Sequence, residues 1–191
     1  MKWFFVFLIS GAVLSCSFKS SDNQPIESVE SSKYDTLTYP KFLDQVKGNK
    51  ANYDIVKKRE LLFECVHEAI PYYWKGTPWT FTGHTTSPKN GEIACGYYVT
   101  NTLHALGFKI NRFKLAQEVS AVMIKQLTVN VKHLSSIDEL SKYLGKQQTN
   151  DAFIIGLDFH TGYVTKEGAE YYFIHSNYID NQGVVKELLR E

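Results

Sequence analysis

The chain has 191 residues, a length that suits one domain with additional segments. Hydrophobic residues make up 43% and charged residues 21%, the values of a globular protein that can bury a core. A formal net charge of +1 offers no basic face for nucleic acid. The three cysteines, Cys16, Cys65 and Cys95, form no Cys-x-x-Cys pair, which argues against a thiolate zinc site, and no cofactor is implied.

Residues 1–15 place one lysine before a short apolar run and then small residues, the layout of a secretory signal peptide. The run is shorter than the ~20 residues that span a bilayer. Val13-Leu14-Ser15-Cys16 resembles a bacterial lipobox, in which the cysteine is lipidated and becomes the mature N-terminus. Plain signal cleavage and secretion is the alternative. The segment 16–33 is Ser-rich and polar, as a flexible tether between lipid and domain would be. The folded domain is then 34–191.

Asn52 is placed to cap a helix from Tyr53 to Ile70, with Ile55, Leu62, Val66, Ala69 and Ile70 as its apolar stripe and Pro71 as its stop. Cys65 and His67 fall inside it and read as a core thiol and a satisfied or surface histidine. Proline and glycine punctuate 71–94, predicting a long shaped loop whose Tyr72, Tyr73, Trp74, Trp79 and Phe81 can line a cleft. His84 lies in this loop and is weighed as a substrate contact against a surface residue. In Gly91–Phe108 a helix begins at Cys95, with Tyr98, Val99, Leu103 and Leu106 on one face and Gly107 as the stop. A helix start should lower a cysteine's pKa and favour the thiolate. His104 in that helix and His133 further on read as structural. Phe113 to Leu127 reads as a helix burying Leu115, Val119, Val122, Met123 and Leu127. Ser135 or Ser136 caps a helix ending at Gly145.

The period then changes to that of strands. Ala152–Leu157 is a short apolar run, Thr161–Thr165 and Ala169–Ile174 flank a turn at Lys166–Gly168, and Gly183–Leu189 reads as a last strand. Helices followed by an antiparallel sheet predict an α+β domain. His160 and His175 lie at the outer ends of that hairpin, six and seven residues from the turn, so they can meet across strands. One imidazole can take the Cys95 thiol proton while the other orients it. Asp158, two residues before His160, can tune that ring, although such a position more often holds a plain strand-end charge.

Four motifs carry a resemblance: Gly76–Gly83, Ala94–Val99, His160–Val164 and Phe173–Ser176 follow the order and spacing of the NlpC-type cell-wall cysteine peptidases. The resemblance implies a papain-like fold, with N-terminal helices packed on a C-terminal antiparallel sheet. It implies Cys95 as nucleophile, His160 as general base, His175 as the orienting member and the Cys95 amide as an oxyanion donor. Trp79 falls where the family often has a substrate-contacting tyrosine. Family members hydrolyse amide bonds in peptidoglycan stem peptides, which implies an envelope-anchored monomer acting on such a substrate. The sequence departs from the family where Ala94 and Gly96-Tyr97 replace the Asp before, and the Ser-Gly after, the nucleophile. Two other readings follow. In one, a non-catalytic lipoprotein uses the same groove to hold a wall fragment or a protein partner. Alternatively, Cys65 and Cys95 are joined as a disulfide in an oxidising compartment.

Overall fold

The computed structural model describes residues 3–6 and 32–189. The lipobox with Cys16, most of the leader and most of the tether lie outside the described residues. The backbone follows the order β1 (Trp3–Val6), α1 (Tyr39–Ala51), α2 (Ile55–Glu64), a π-helical turn (Cys65–Ala69), α3 (Ile70–Trp74) and α4 (Cys95–Ala105). Then come α5 (Arg112–Ala116), α6 (Ser120–Leu127), β2 (Val131–Leu134), α7 (Ile137–Gly145), β3 (Asp151–Gly156), β4 (Thr161–Glu167), β5 (Glu170–Asn177) and β6 (Gly183–Leu188). The class is mixed helix and antiparallel sheet.

The sheet runs β2-β1-β3-β4-β5-β6, with every pairing antiparallel. Strands β3 to β6 form a meander. β1 falls within the residues read as a leader, and its backbone pairs with β2 and with Ile155 and Gly156 of β3. Cleavage after Ser15 would remove it and leave β3 at an edge. Among the described residues, no helix is long and apolar enough to cross a membrane.

Both faces of β3–β5 are covered, which is why these strands read as near-continuous apolar runs. Alternation sends Ile154, Tyr163 and Ile174 to one face, against Ile70, Trp74, Tyr98, Val99 and Met123 of the helices. Phe153, Ile155 and Val164 face the other way, onto Leu140 and Leu144 of α7. Ser136 caps α7 by accepting from the Glu139 amide.

Several helix boundaries differ from the sequence expectation. Asn52 ends α1, a helix the sequence hides because only Phe42 and Val46 of it are buried. The cap of α2 is Asp54, which accepts from the Lys57 amide. Ile55 is 70% exposed and does not belong to the buried stripe. Pro71 does not stop the helix. It lacks an N–H, and its ring would press on the carbonyl four residues back, so the backbone widens first into the π-turn, where the Ile70 amide reaches the Cys65 carbonyl. The ridge expected from Phe113 to Leu127 is two helices, broken at 117–119, where Val119 is extended. That break sends Val119 and Val122 outward, and Ile124 takes the buried place.

The break is matched by Gly96 in the first turn of α4. A Cβ there would stand 2.5 Å from the Ala116 carbonyl oxygen, so only glycine lets the end of α5 pass this close. Gly96→Ala should therefore cost about 1–3 kcal/mol through a backbone shift. A urea-denaturation midpoint equal to wild type would refute that packing argument.

Candidate functional site

α4 is anchored before its first residue. The Ile93 amide donates to the Pro78 carbonyl at 2.9 Å, and the Ala94 amide donates to the Gly83 carbonyl at 2.8 Å. The Ser176 hydroxyl, one residue past His175, donates to the Ile93 carbonyl at 2.7 Å. Gly83 is needed here, since a Cβ would lie 2.5 Å from the Ile93 nitrogen. The shaped loop and β5 therefore hold Cys95 from two sides. The loop itself begins after Trp74, because 70–74 is helical.

Cys95 and His160 line one cleft of about 430 Å³. Its walls also carry Trp79, Tyr97 and Tyr178, and its rim carries the highly exposed Phe81 and Phe159. The backbone N–H groups of Thr161, the residue after His160, of Gly96 and of Cys95 itself lie near enough to the sulfur to favour its thiolate.

His160 and His175 are joined, Nε2 to Nδ1, at 2.6 Å. They are not directly opposite. His175 lies level with Gly162 by the strand register, and His160 reaches it diagonally from just before β4. Gly162 makes this possible, because a Cβ there would be 2.7 Å from the His175 Cβ. Phe173 stacks on the His175 ring at 4.0 Å, and Tyr178 presents its edge to His160 at 5.5 Å.

The far nitrogen of His175, Nε2, meets a Glu187 carboxylate oxygen at 3.0 Å. A carboxylate only accepts, so His175 carries its proton on Nε2 and leaves Nδ1 as an acceptor. His160 must then donate from Nε2, which leaves its Nδ1 with a lone pair. That Nδ1 is buried and has no hydrogen-bond partner among the described residues. A carboxylate on β6 thus sets the tautomers of two histidines in series.

The electrostatics differ from the helix-start expectation. Burial raises the Cys95 thiol pKa, and the three amide donors offset this only in part. His160 is pushed down to about 4 by burial first and then by His175, with Glu187 opposing. His175 is pushed down to about 4 by burial. The resting pair is a neutral thiol and a neutral imidazole.

Other sequence candidates lie elsewhere. Cys65 is a free, buried thiol and Cys95 is also free, so no Cys65–Cys95 disulfide exists. His84 is exposed and bonds the Thr82 carbonyl, with its ring 5.9 Å from Tyr97. His104 and His133 are exposed. Asp158 lies on the cleft wall, while the carboxylate that joins the histidines is Glu187. Glu187 was not singled out in the sequence. Its signal is positional: an acid on the strand beside β5, on the face that carries His175. Among the described residues, the one group of His, Cys or acidic side chains close enough to share a metal ion is His67, Glu68 and Glu167, not the cleft. Comparison with protein-family models, with curated proteins and with solved structures returned no match.

Two pH effects follow. Alkylation of Cys95 by iodoacetamide should climb steadily past about pH 9, as expected for a thiol raised above the usual ~8.5. A rate plateau between pH 5 and 8, the mark of a thiolate–imidazolium pair, would contradict this. Stability carries the other sign. Both imidazoles titrate lower in the fold than in the unfolded chain, so their contribution is complete above about pH 6.5 and is lost as pH falls toward 4. Thermal melts across that window read it directly.

Proposed function

We propose that the protein is a papain-like thiol hydrolase of the cell envelope that cleaves an amide bond, with peptidoglycan stem peptides as the substrate class. The observation that carries this reading is the Glu187–His175–His160 series, which leaves one unpartnered imidazole nitrogen in the same cleft as Cys95. The motif order in the sequence supplies the family and the substrate class. The leader and Cys16 supply the envelope anchor.

In the proposed reaction His160 Nδ1 takes the thiol proton as the sulfur attacks the carbonyl carbon. The imidazolium that forms is balanced through His175 by Glu187. The Cys95 amide, in the first turn of α4, is the proposed donor to the oxyanion of the tetrahedral intermediate. His160 returns the proton to the leaving amine as the C–N bond breaks, leaving a thioester on Cys95. Water, deprotonated by the same nitrogen, then releases the acid. The Thr161 amide, next to the base, favours the sulfur's developing negative charge as the proton leaves. Trp79 and Tyr178 form the wall on which a substrate backbone or sugar can rest.

Turnover of muropeptides or of a peptide amide tests the proposal. Cys95→Ala should lower kcat by roughly 10⁴-fold or more while substrate still binds. Binding without turnover in the wild type, unchanged in Cys95→Ala, would favour the non-catalytic groove suggested by Ala94 and Tyr97. The acid limb of kcat/KM should have its midpoint near the His160 value of about 4, well below an ordinary imidazole. Glu187 acts through His175 and is half exposed, so Glu187→Gln should reduce kcat by about 10–10³-fold, less than the ~10⁴-fold loss when a buried carboxylate that orients the base directly is neutralised. Because Glu187 raises the His160 pKa, the same variant should also move the acid limb lower. A reduced rate with an unmoved limb would make Glu187 merely structural.

A further inference from the structure

A second polar centre sits on the other face of the same hairpin. His67 and Glu68 come from the π-turn, Glu167 from the end of β4 and Lys186 from β6. His67 is wholly buried, with its ring stacked on Phe63 at 4.9 Å and against the edge of Tyr172 at 5.1 Å. Its Nδ1 lies 2.8 Å from the buried Thr165 hydroxyl. Its Nε2 has three neighbours: Lys186 Nζ at 2.9 Å, and carboxylate oxygens of Glu68 and Glu167, each at 3.1 Å. The ammonium also donates to Glu68 at 2.9 Å.

One nitrogen cannot serve all three. An ammonium only donates and a carboxylate only accepts, so a ring proton on Nε2 points at Glu167, while a ring proton on Nδ1, toward Thr165, lets Nε2 accept from Lys186. In the second tautomer the Nε2 lone pair lies beside two carboxylate oxygens that it cannot donate to. Three acceptors from two elements converge, and among the described residues the Lys186 ammonium is the positive charge paired with them. An Nδ1–H held by a buried hydroxyl is also the arrangement by which metal-binding histidines fix the tautomer that leaves Nε2 free. His67 and Glu68 are neighbours on the π-turn, and the Glu68 side chain reaches round to His67 Nε2 at 3.1 Å.

We propose that His67 Nε2, Glu68 and Glu167 form a divalent-cation site of the zinc class, in exchange with the Lys186 ammonium. The ligand atoms all lie within 4.8 Å of one another. Both carboxylates are about half exposed, so each can close the last ångström to the ~2.0–2.2 Å of a zinc bond. One imidazole and two carboxylates leave a fourth place for water. Lys186 is partly exposed and sits on the last strand, so its side chain can swing to solvent when the ion enters. The site is independent of any reaction at Cys95.

The test is calorimetric titration of the chelator-treated full chain with zinc chloride, in a Cys95→Ala background to remove the competing thiol. One saturable site is expected. Glu167→Gln should weaken it by at least 10-fold, and Lys186→Met should tighten it several-fold by removing the competing ammonium. His67→Asn should abolish binding, with circular dichroism to show that the variant is folded. Absence of saturable binding up to millimolar zinc overturns the proposal. So does a binding constant that neither Glu167→Gln nor Lys186→Met changes.

Discussion

The contact between α4 and β4 is the constraint on which the rest of the cleft depends. Tyr163 is buried to 2% exposure, yet its hydroxyl is paired twice, with Thr102 Oγ1 at 2.7 Å and with the Val99 carbonyl at 3.0 Å. Thr102 in turn shares its hydroxyl with the Tyr98 and Val99 carbonyls. A buried hydroxyl left unpaired would cost about 1–3 kcal/mol, so helix and strand have little freedom to slide past each other. Tyr98 sets its ring edge against Tyr163 at 6.0 Å and against Trp74 at the same distance, which fixes the rotation of the helix. Cys95 begins that helix and His160 precedes that strand. Their common cleft is a consequence of core packing several residues away from either.

Strand alternation then distributes the polar groups. On β5, His175 and Phe173 take one face while Ile174 and Tyr172 take the other. On β6, Glu187 follows His175 to the first face and Lys186 follows Tyr172 to the second, where its ammonium lies 4.7 Å from the Tyr172 ring. Two adjacent residues of opposite charge thus serve two separate centres without meeting. A one-residue slip in the β5–β6 register would exchange them, putting an ammonium against His175 and a carboxylate beside Glu68. Both placements are electrostatically unfavourable, so the charges themselves oppose the slip.

The sequence made the helix of Cys95 legible because Tyr98, Val99, Leu103 and Leu106 keep a clear helical period and Gly107 ends it in a left-handed turn. The hairpin was legible for a similar reason, with the turn falling at Gly168–Ala169, one residue past the expected centre. What stayed hidden was decided by contacts between distant residues. Nothing local to Pro71 announces a π-turn that lets the helix continue, and nothing near Gln117 announces a break. The break follows from where α5 must pass against Gly96. Glu187 looked like one charge among many on an edge strand until the strand register gave it a partner. The thiol's direction of shift is likewise set by distant contacts. A helix terminus contributes a fraction of a kcal/mol to about 2 kcal/mol, and burial of the sulfur outweighs it.

That imbalance has a chemical logic. An ion pair formed in advance would place two charges in a largely apolar cleft, where each pays a desolvation penalty before any substrate arrives. Keeping thiol and imidazole neutral avoids that penalty at rest. The charge is then needed only as the proton moves, and at that moment the groups able to answer it already stand in line. His175 presents a lone pair to His160, and Glu187, half in solvent, carries the compensating charge at the far end. Moving the carboxylate next to His160 would stabilise the imidazolium more strongly and raise its pKa, favouring the resting ion pair. Setting it one imidazole further out retains the orientation and weakens the charge effect. The spacing of three side chains, just before β4, on β5 and on β6, therefore determines both which nitrogen is the base and how reluctant that base is to hold a proton.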